Sequence, residues 1–159
     1  MRVRSPSVQT TLVSAHDPAA RQCLERYFAE LAARFPEGYD RKADGAAELE
    51  EFCPPAGAFL LAEAAGKPVG CGALRAFSPG IGEIKRMWVS PEFRGQGVGR
   101  KLLESLERAA TEKGLRAVRL DTHSSLTQAL ELYRTSGYRE IPRFNDNPYA
   151  RHWFEKALA

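Results

Sequence analysis

Glu83-Ile84-Lys85-Arg86-Met87-Trp88-Val89-Ser90-Pro91-Glu92-Phe93-Arg94-Gly95-Gln96-Gly97-Val98-Gly99-Arg100-Lys101-Leu102 is the stretch whose reading decides the fold. Residues 83–89 alternate as a strand, with Glu83, Lys85, Met87 and Val89 predicted on one face and Ile84, Arg86 and Trp88 on the other. Ser90-Pro91 ends it. Three glycines follow at alternate positions, and then Val98, Leu102, Leu106 and Ala109 fall at helical spacing until Lys113-Gly114. A strand, a glycine-rich loop and a helix present several backbone N–H groups, and the positive end of a helix dipole, to one phosphate. Two familiar versions do not fit. A P-loop needs Gly-Lys-Ser/Thr where Gly99-Arg100-Lys101 stands, and a dinucleotide fingerprint needs glycine where Arg100 stands. A glycine-rich turn without any ligand stays open as an alternative.

Upstream, residues 8–13 form a short β-branched run, and Asp17-Pro18 supplies an N-cap with proline at the first helical position. Ala20, Leu24, Tyr27, Phe28, Leu31 and Phe35 make one apolar stripe, and Pro36-Glu37-Gly38 stops the helix. A second helix is predicted over 43–52, ended by Pro54-Pro55. Runs 58–64 and 69–77, separated by Ala65-Gly66-Lys67-Pro68, read as a β-hairpin. Downstream come a strand at 117–120, a helix marked by Leu126, Ala129, Leu130 and Tyr133, and strands at 138–141 and 150–154. The order βααβββαβαββ predicts one α/β (α+β) domain over 1–159 with a mixed sheet, without repeats.

The chain has 159 residues, 43% hydrophobic and 27% charged, enough for a sizeable core. No apolar run approaches the ~20 residues of a membrane span, and residues 1–10 lack the apolar core of a secretory signal. The expected address is cytoplasmic, with no membrane partner. Net charge is +3, too balanced to demand nucleic acid. The excess lies after residue 80, where 14 basic side chains face 10 acidic ones, so an anionic ligand belongs in that half. Cys23, Cys53 and Cys71 are odd in number and form no CxxC, which predicts free thiols and no metal.

Arg94-Gly95-Gln96-Gly97-Val98-Gly99 matches the Q/R-x-x-G-x-G/A motif of the Gcn5-related N-acetyltransferases, and Leu132-Tyr133-Arg134-Thr135-Ser136-Gly137-Tyr138 resembles their L-Y-x-x-x-G-F/Y signature. The likeness runs from about Val69 to Leu158; residues 1–60 share only the element order. It implies a mixed, mostly antiparallel central sheet flanked by helices, and acetyl-CoA as cosubstrate, its pyrophosphate held by backbone N–H groups from Arg94 to Gly99 with charge from Arg94 and Arg100. It further implies that the pantetheine arm lies along the splayed strand at Met87, Trp88 and Val89, Gln96 and Val98 completing the set. Tyr133 would be the general acid, and Glu83 resembles the glutamate that some members use as base. Alternatives remain at each position: Tyr133 as a core aromatic, Glu83 as a carboxylate paired to Lys85 or Arg75, and His123 as base. Where the family often has asparagine, this chain has Thr122-His123-Ser124-Ser125.

The resemblance implies transfer to a primary amine of a small molecule, by direct attack in a ternary complex, in a monomer or homodimer. Lys85 and Arg86, with Arg34, Arg75 and Arg143, could bind the carboxylate of an amino-acid-like acceptor or be ion-paired surface. Phe35, Tyr39, Trp88 and Phe144 could wall its site, with the 143–149 loop nearby. A protein or peptide acceptor, or an acyl-CoA sensor without catalysis, are the competing readings.

Overall fold

The computed structural model describes residues 7–35, 38–41, 49–123 and 127–159. In chain order these form β1 (Val8–Val13), α1 (Pro18–Arg34), a 3-10 turn (Leu49–Phe52), β2 (Ala58–Ala64), β3 (Lys67–Ser78), β4 (Ile81–Val89), a second 3-10 turn (Pro91–Phe93), α2 (Val98–Glu112), β5 (Ala117–Thr122), α3 (Thr127–Thr135), β6 (Arg139–Ile141) and β7 (His152–Ala157). The seven strands make one sheet in the order β1-β2-β3-β4-β5-β7-β6. Every pairing is antiparallel except β4 with β5. The mixed α/β architecture is the one expected.

Local chemistry explains most boundaries. Asp17 Oδ1 accepts from the Ala19 N–H at 2.9 Å, and Pro18 opens α1 without wasting a donor. The predicted stripe buries Ala20, Leu24, Phe28, Leu31 and Phe35, with Cys23 beside them, whereas Tyr27 is only half-buried. Ala65 and Gly66 both adopt positive φ, 50° and 77°, as a two-residue hairpin turn requires, so Lys67 and Pro68 already belong to β3. Of the predicted helix over 43–52, residues 43–48 lie outside the described residues, and 49–52 is the 3-10 turn. Leu126, Ser124 and Ser125 also lie outside them.

The sheet separates two apolar cores. On one face, Leu102, Leu103 and Leu106 of α2 and Leu130 and Tyr133 of α3 pack on Leu60, Leu74, Leu120 and Phe154. On the other, α1 packs through Leu24, Phe28 and Leu31 on Phe59, Leu61, Cys71 and Trp88. Among the described residues no helix is long and apolar enough to cross a membrane.

The face assignment of β4 needs correction. Cys71 pairs with Trp88 and Ala73 with Lys85, so Gly72 alone opposes Arg86 and Met87, and Arg86 sits at φ 59°. This is a β-bulge, and the extra residue reverses the alternation beyond it. Ile84, Met87 and Val89 therefore pack toward α2, while Trp88 joins the α1 core. Just before the bulge β4 also leaves its parallel neighbour. Only Ile81, Gly82 and Glu83 pair with β5, at Ala117, Val118 and Arg119. From there β4 stays with β3 and β5 with β7, and a wedge opens between them.

The β3–β4 pair tolerates little beside this wedge. A Cβ built on Gly70 would stand 2.8 Å from the Trp88 carbonyl oxygen, which is backbone and cannot swing aside. Gly70→Ala is expected to destabilise the fold by about 1–3 kcal/mol, read from the urea midpoint at unchanged slope; wild-type stability would refute the close packing of this strand pair.

Candidate active site

The wedge continues into a cleft of about 940 Å³ lined by Met87, Trp88 and Val89 of β4, the loop after it, the first turn of α2 and one side of α3. Gly95 and Gly97 hold φ of 76° and 82°, with nothing within 4 Å of a built Cβ. Their absent side chains thus serve backbone conformation rather than space. Gly97 is the left-handed N-cap of α2, whose first turn carries no acidic residue. The N–H groups of that turn have no partner within the helix, and the dipole makes this end an anion seat. A Cβ on Gly99 would lie 3.2 Å from Leu132, so glycine here allows α2 to approach α3.

Met87, Trp88, Val89, Arg94, Gly95, Gly97, Val98, Gly99 and Arg100 all line this cleft. Gln96 is turned away, its amide donating to the Glu92 carbonyl at 3.1 Å. Arg94 is already engaged: its guanidinium meets Glu30 of α1 and donates to the Val89 carbonyl at 2.9 Å. Arg100 donates to the Thr135 and Ser136 hydroxyls, each at 3.1 Å.

A second, smaller cavity of about 80 Å³ adjoins the first. Tyr27, Leu31, Met87, Ala129 and Tyr133 line both. Tyr133 is 5% exposed, and burial, then the Asp121 charge, raises its pKa well above the ordinary phenol value, so the hydroxyl keeps its proton. The outer wall is aromatic. Phe35 stacks on Tyr149 at 5.2 Å and 9°, Tyr39 packs on both, and His123 meets Phe35 edge-on at 4.8 Å. Desolvation, then the charges of Arg151 and His152, lowers the His123 pKa, leaving a neutral imidazole at pH 7. Lys85, Arg86, Asp121, Thr122 and Asn147 add polar lining, with Lys85 Nζ 3.8 Å from Asp121 Oδ2.

The structure does not bring Glu83 into either cavity. It is fully buried at the last β4–β5 pair, bonded by Arg75 Nε at 2.7 Å and Asn145 Nδ2 at 3.1 Å, with Lys85 Nζ at 3.7 Å. Two expected wall residues also sit elsewhere. Trp88 lines the large cleft and donates its indole N–H to Glu30 at 3.1 Å, and Phe144 packs on Phe77 at 5.1 Å. Arg34 pairs with Glu30 at 3.0 Å and Arg143 with Asp146 at 3.6 Å. Asp121, Asn145 and Tyr149 were missed, although the last two stand in the 143–149 loop expected near the site. Asn145 is a hub: its amide donates to Glu83 and Asp121 and its carbonyl accepts from Trp153 at 2.9 Å.

The profile of the acetyltransferase (GNAT) family matches residues 24–138. The chain belongs to this family. An IAA acetyltransferase of Azospirillum brasilense is 36% identical over 127 residues, 79% of this chain and 77% of that one. Among solved structures, an acetyltransferase of the GNAT family from Staphylococcus aureus Mu50 superposes with TM-score 0.82 at 20% identity, covering 96% of this chain and 100% of that one. The PaiA N-acetyltransferase of Thermoplasma acidophilum, in complex with coenzyme A, superposes with TM-score 0.69 at 19% identity over 95% and 99%. This chain is thus a GNAT N-acetyltransferase, and the family's donor is acetyl-CoA.

In this GNAT chain one carboxylate ties the loop to α1. Burial alone would raise the Glu30 pKa, but hydrogen bonds from Arg94 and Trp88 and the charges of Arg94 and Arg34 outweigh it, and the net shift is downward from 4.5. A carboxyl depressed in the folded state stabilises above its unfolded pKa and loses that contribution as pH falls through the folded value. Glu30→Gln is therefore expected to flatten the acid limb of stability below about pH 4.5, measured by denaturant unfolding across pH; an unchanged slope would show that Glu30 does not anchor Arg94.

Proposed function

We propose that the chain transfers the acetyl group of acetyl-CoA to the primary amine of a small molecule, amino-acid-like in charge, by direct attack in a ternary complex. The observation that carries this reading is the position of Tyr133 on the common wall of a large cleft and a small polar cavity. The cleft, about 940 Å³ and running from β4 to the first turn of α2, is where the cosubstrate lies. The N–H groups from Gly95 to Gly99 hold its pyrophosphate, that of Arg94 being already given to the Pro91 carbonyl, and the pantetheine arm runs along Met87, Trp88 and Val89, whose edge turns away from β5. The acceptor occupies the small cavity, where Lys85 supplies positive charge for a carboxylate and Asp121 negative charge for an ammonium.

His123 fits the base role better than Glu83, because it lines the acceptor cavity and its lowered pKa makes it neutral. It takes one proton from the ammonium and passes it to solvent. The free amine attacks the thioester carbon, a backbone N–H such as that of Val89 polarising the carbonyl oxygen. A C–N bond forms as the C–S bond breaks. The second nitrogen proton balances the one gained by sulfur, and Tyr133 relays it, donating its own as it receives the other. Its raised pKa suits this exchange, since a phenol weaker than the thiol gives up its proton only as another arrives.

Tyr133→Phe is expected to lower kcat by roughly 10²–10⁴-fold while acetyl-CoA affinity, read by calorimetry, stays the same; an unchanged kcat would remove Tyr133 from the chemistry. With saturating amine, kcat should hold as pH falls to 6.5 and drop below it, because activity is lost only where His123 protonates. In His123→Gln the rate should be low at all pH and that limb absent. A wild-type profile in the variant would exclude His123 as the base.

A further inference from the structure

Far from the cleft in sequence, His16, Glu50 and Cys53 bring three kinds of metal-ligand atom together. The imidazole nitrogen, carboxylate oxygen and thiol sulfur all lie within 4.8 Å of one another. The local fold holds them there. The Cys53 N–H donates to the Glu50 carbonyl at 3.1 Å, closing a 3-10 turn, and three residues per turn stack side chains i and i+3 on one face. Glu50 and Cys53 therefore rise side by side. His16 faces them from the loop before α1, its Nε2 2.6 Å from Glu50 Oε1. Both supports are anchored: buried Ala15 and the Asp17 cap fix the histidine loop, and buried Phe52 pins the turn into the α1 core.

We propose that His16, Glu50 and Cys53 form a binding site for a divalent ion of the zinc class, with water as fourth ligand. Bonds of about 2.0–2.3 Å to nitrogen, oxygen and sulfur set tetrahedral donors some 3.3–3.8 Å apart. The 2.6 Å His16–Glu50 contact has to open slightly to reach that range, which rotation of these two exposed side chains allows, and the Cys53 sulfur already lies within 4.8 Å of both. Imidazole and thiolate select zinc or a similar transition metal over magnesium and calcium, which take oxygen donors. On binding, the Cys53 thiol releases its proton to solvent, and the thiolate and the Glu50 carboxylate together neutralise the ion. The site straps the turn at 49–52 onto the start of α1. From the same turn Glu51 grips Arg75, whose Nε bonds Glu83 behind the acceptor cavity. Metal occupancy thus stiffens one end of the buried charge cluster, whichever acceptor the enzyme uses.

Cobalt(II) is the probe, added to the reduced full-length chain. One equivalent is expected to give a thiolate-to-cobalt charge-transfer band with the visible absorption of a tetrahedral ion, and zinc should bleach it. Cys53→Ser should abolish the charge-transfer band, and His16→Ala or Glu50→Gln, at exposed positions, should weaken binding by roughly tenfold or more. Cys23→Ser should leave the band intact. Absence of the band at one equivalent, its survival in Cys53→Ser, or unchanged binding in both His16→Ala and Glu50→Gln would overturn the site.

Discussion

Three residue pairs, Ile81–Ala117, Gly82–Val118 and Glu83–Arg119, join the two halves of the sheet, and the rest of the structure depends on where that pairing stops. If it continued, β4 and β5 would close over the space that both cavities occupy. The bulge at Arg86 comes just past the last pair, bends β4 and lets it follow β3 instead. At the fork stand buried charges: Arg75 from β3, Glu83 and Lys85 from β4, Asp121 from β5. Burying such a set costs desolvation, and removing one member would strand the others. Asn145 reaches across the fork to both carboxylates, and Trp153 and Asn147 orient it. Within the cluster Glu83, Arg75 and Asn145 are therefore better understood as the rivet of the fork, while Lys85 and Asp121 also face the acceptor cavity. That accounts for a fully buried Glu83 facing neither cavity.

The large cleft has one wall on each core. Its floor is β4, its loop side is the α2 N-terminus, and α1 closes the other side through Glu30, which holds both Arg94 and the Trp88 indole. The glycine loop is thereby tied to the helix that also walls the acceptor cavity through Tyr27 and Leu31. A shift of α1 would be felt at both sites at once. The described N-terminal part is thus as much a part of the site as the motif-bearing second half.

What the sequence revealed followed from local chemistry. The Asp17-Pro18 cap, the hairpin over 58–77, and the strand, loop and helix from Glu83 onward each depend on neighbours in the chain, and each is present, although the hairpin turn is Ala65-Gly66 alone rather than the four residues expected. Tyr133 was singled out as well, because its signature is local. What escaped was non-local. The bulge is invisible because nothing in Arg86-Met87 announces that Gly72 will oppose both, and a period-2 reading must then put Met87 and Val89 on the face of Lys85. Asp121, Asn145 and Tyr149 acquire meaning only when β5 and the loop before β7 meet α1. Phe144 and Trp88 have the composition of an acceptor wall, but their partners, Phe77 and Glu30, lie elsewhere.

The charge asymmetry of the chain also takes on a different sense. The excess of basic residues after position 80 suggested cations waiting for a polyanion, yet Arg94 is held by Glu30 and Arg100 by two hydroxyls at the edge of α3. Both guanidiniums line the cleft with their orientation already set, so an anion arriving there meets fixed dipoles and fixed charges and orders no long side chain. The N–H groups around Gly97 then carry most of the attraction, because they are directed and held in place at the positive end of a helix. Under the proposed reading, phosphate recognition in this enzyme is chiefly a property of backbone shape. The glycines at 95 and 97, with open space where side chains would stand, are the residues that allow that shape.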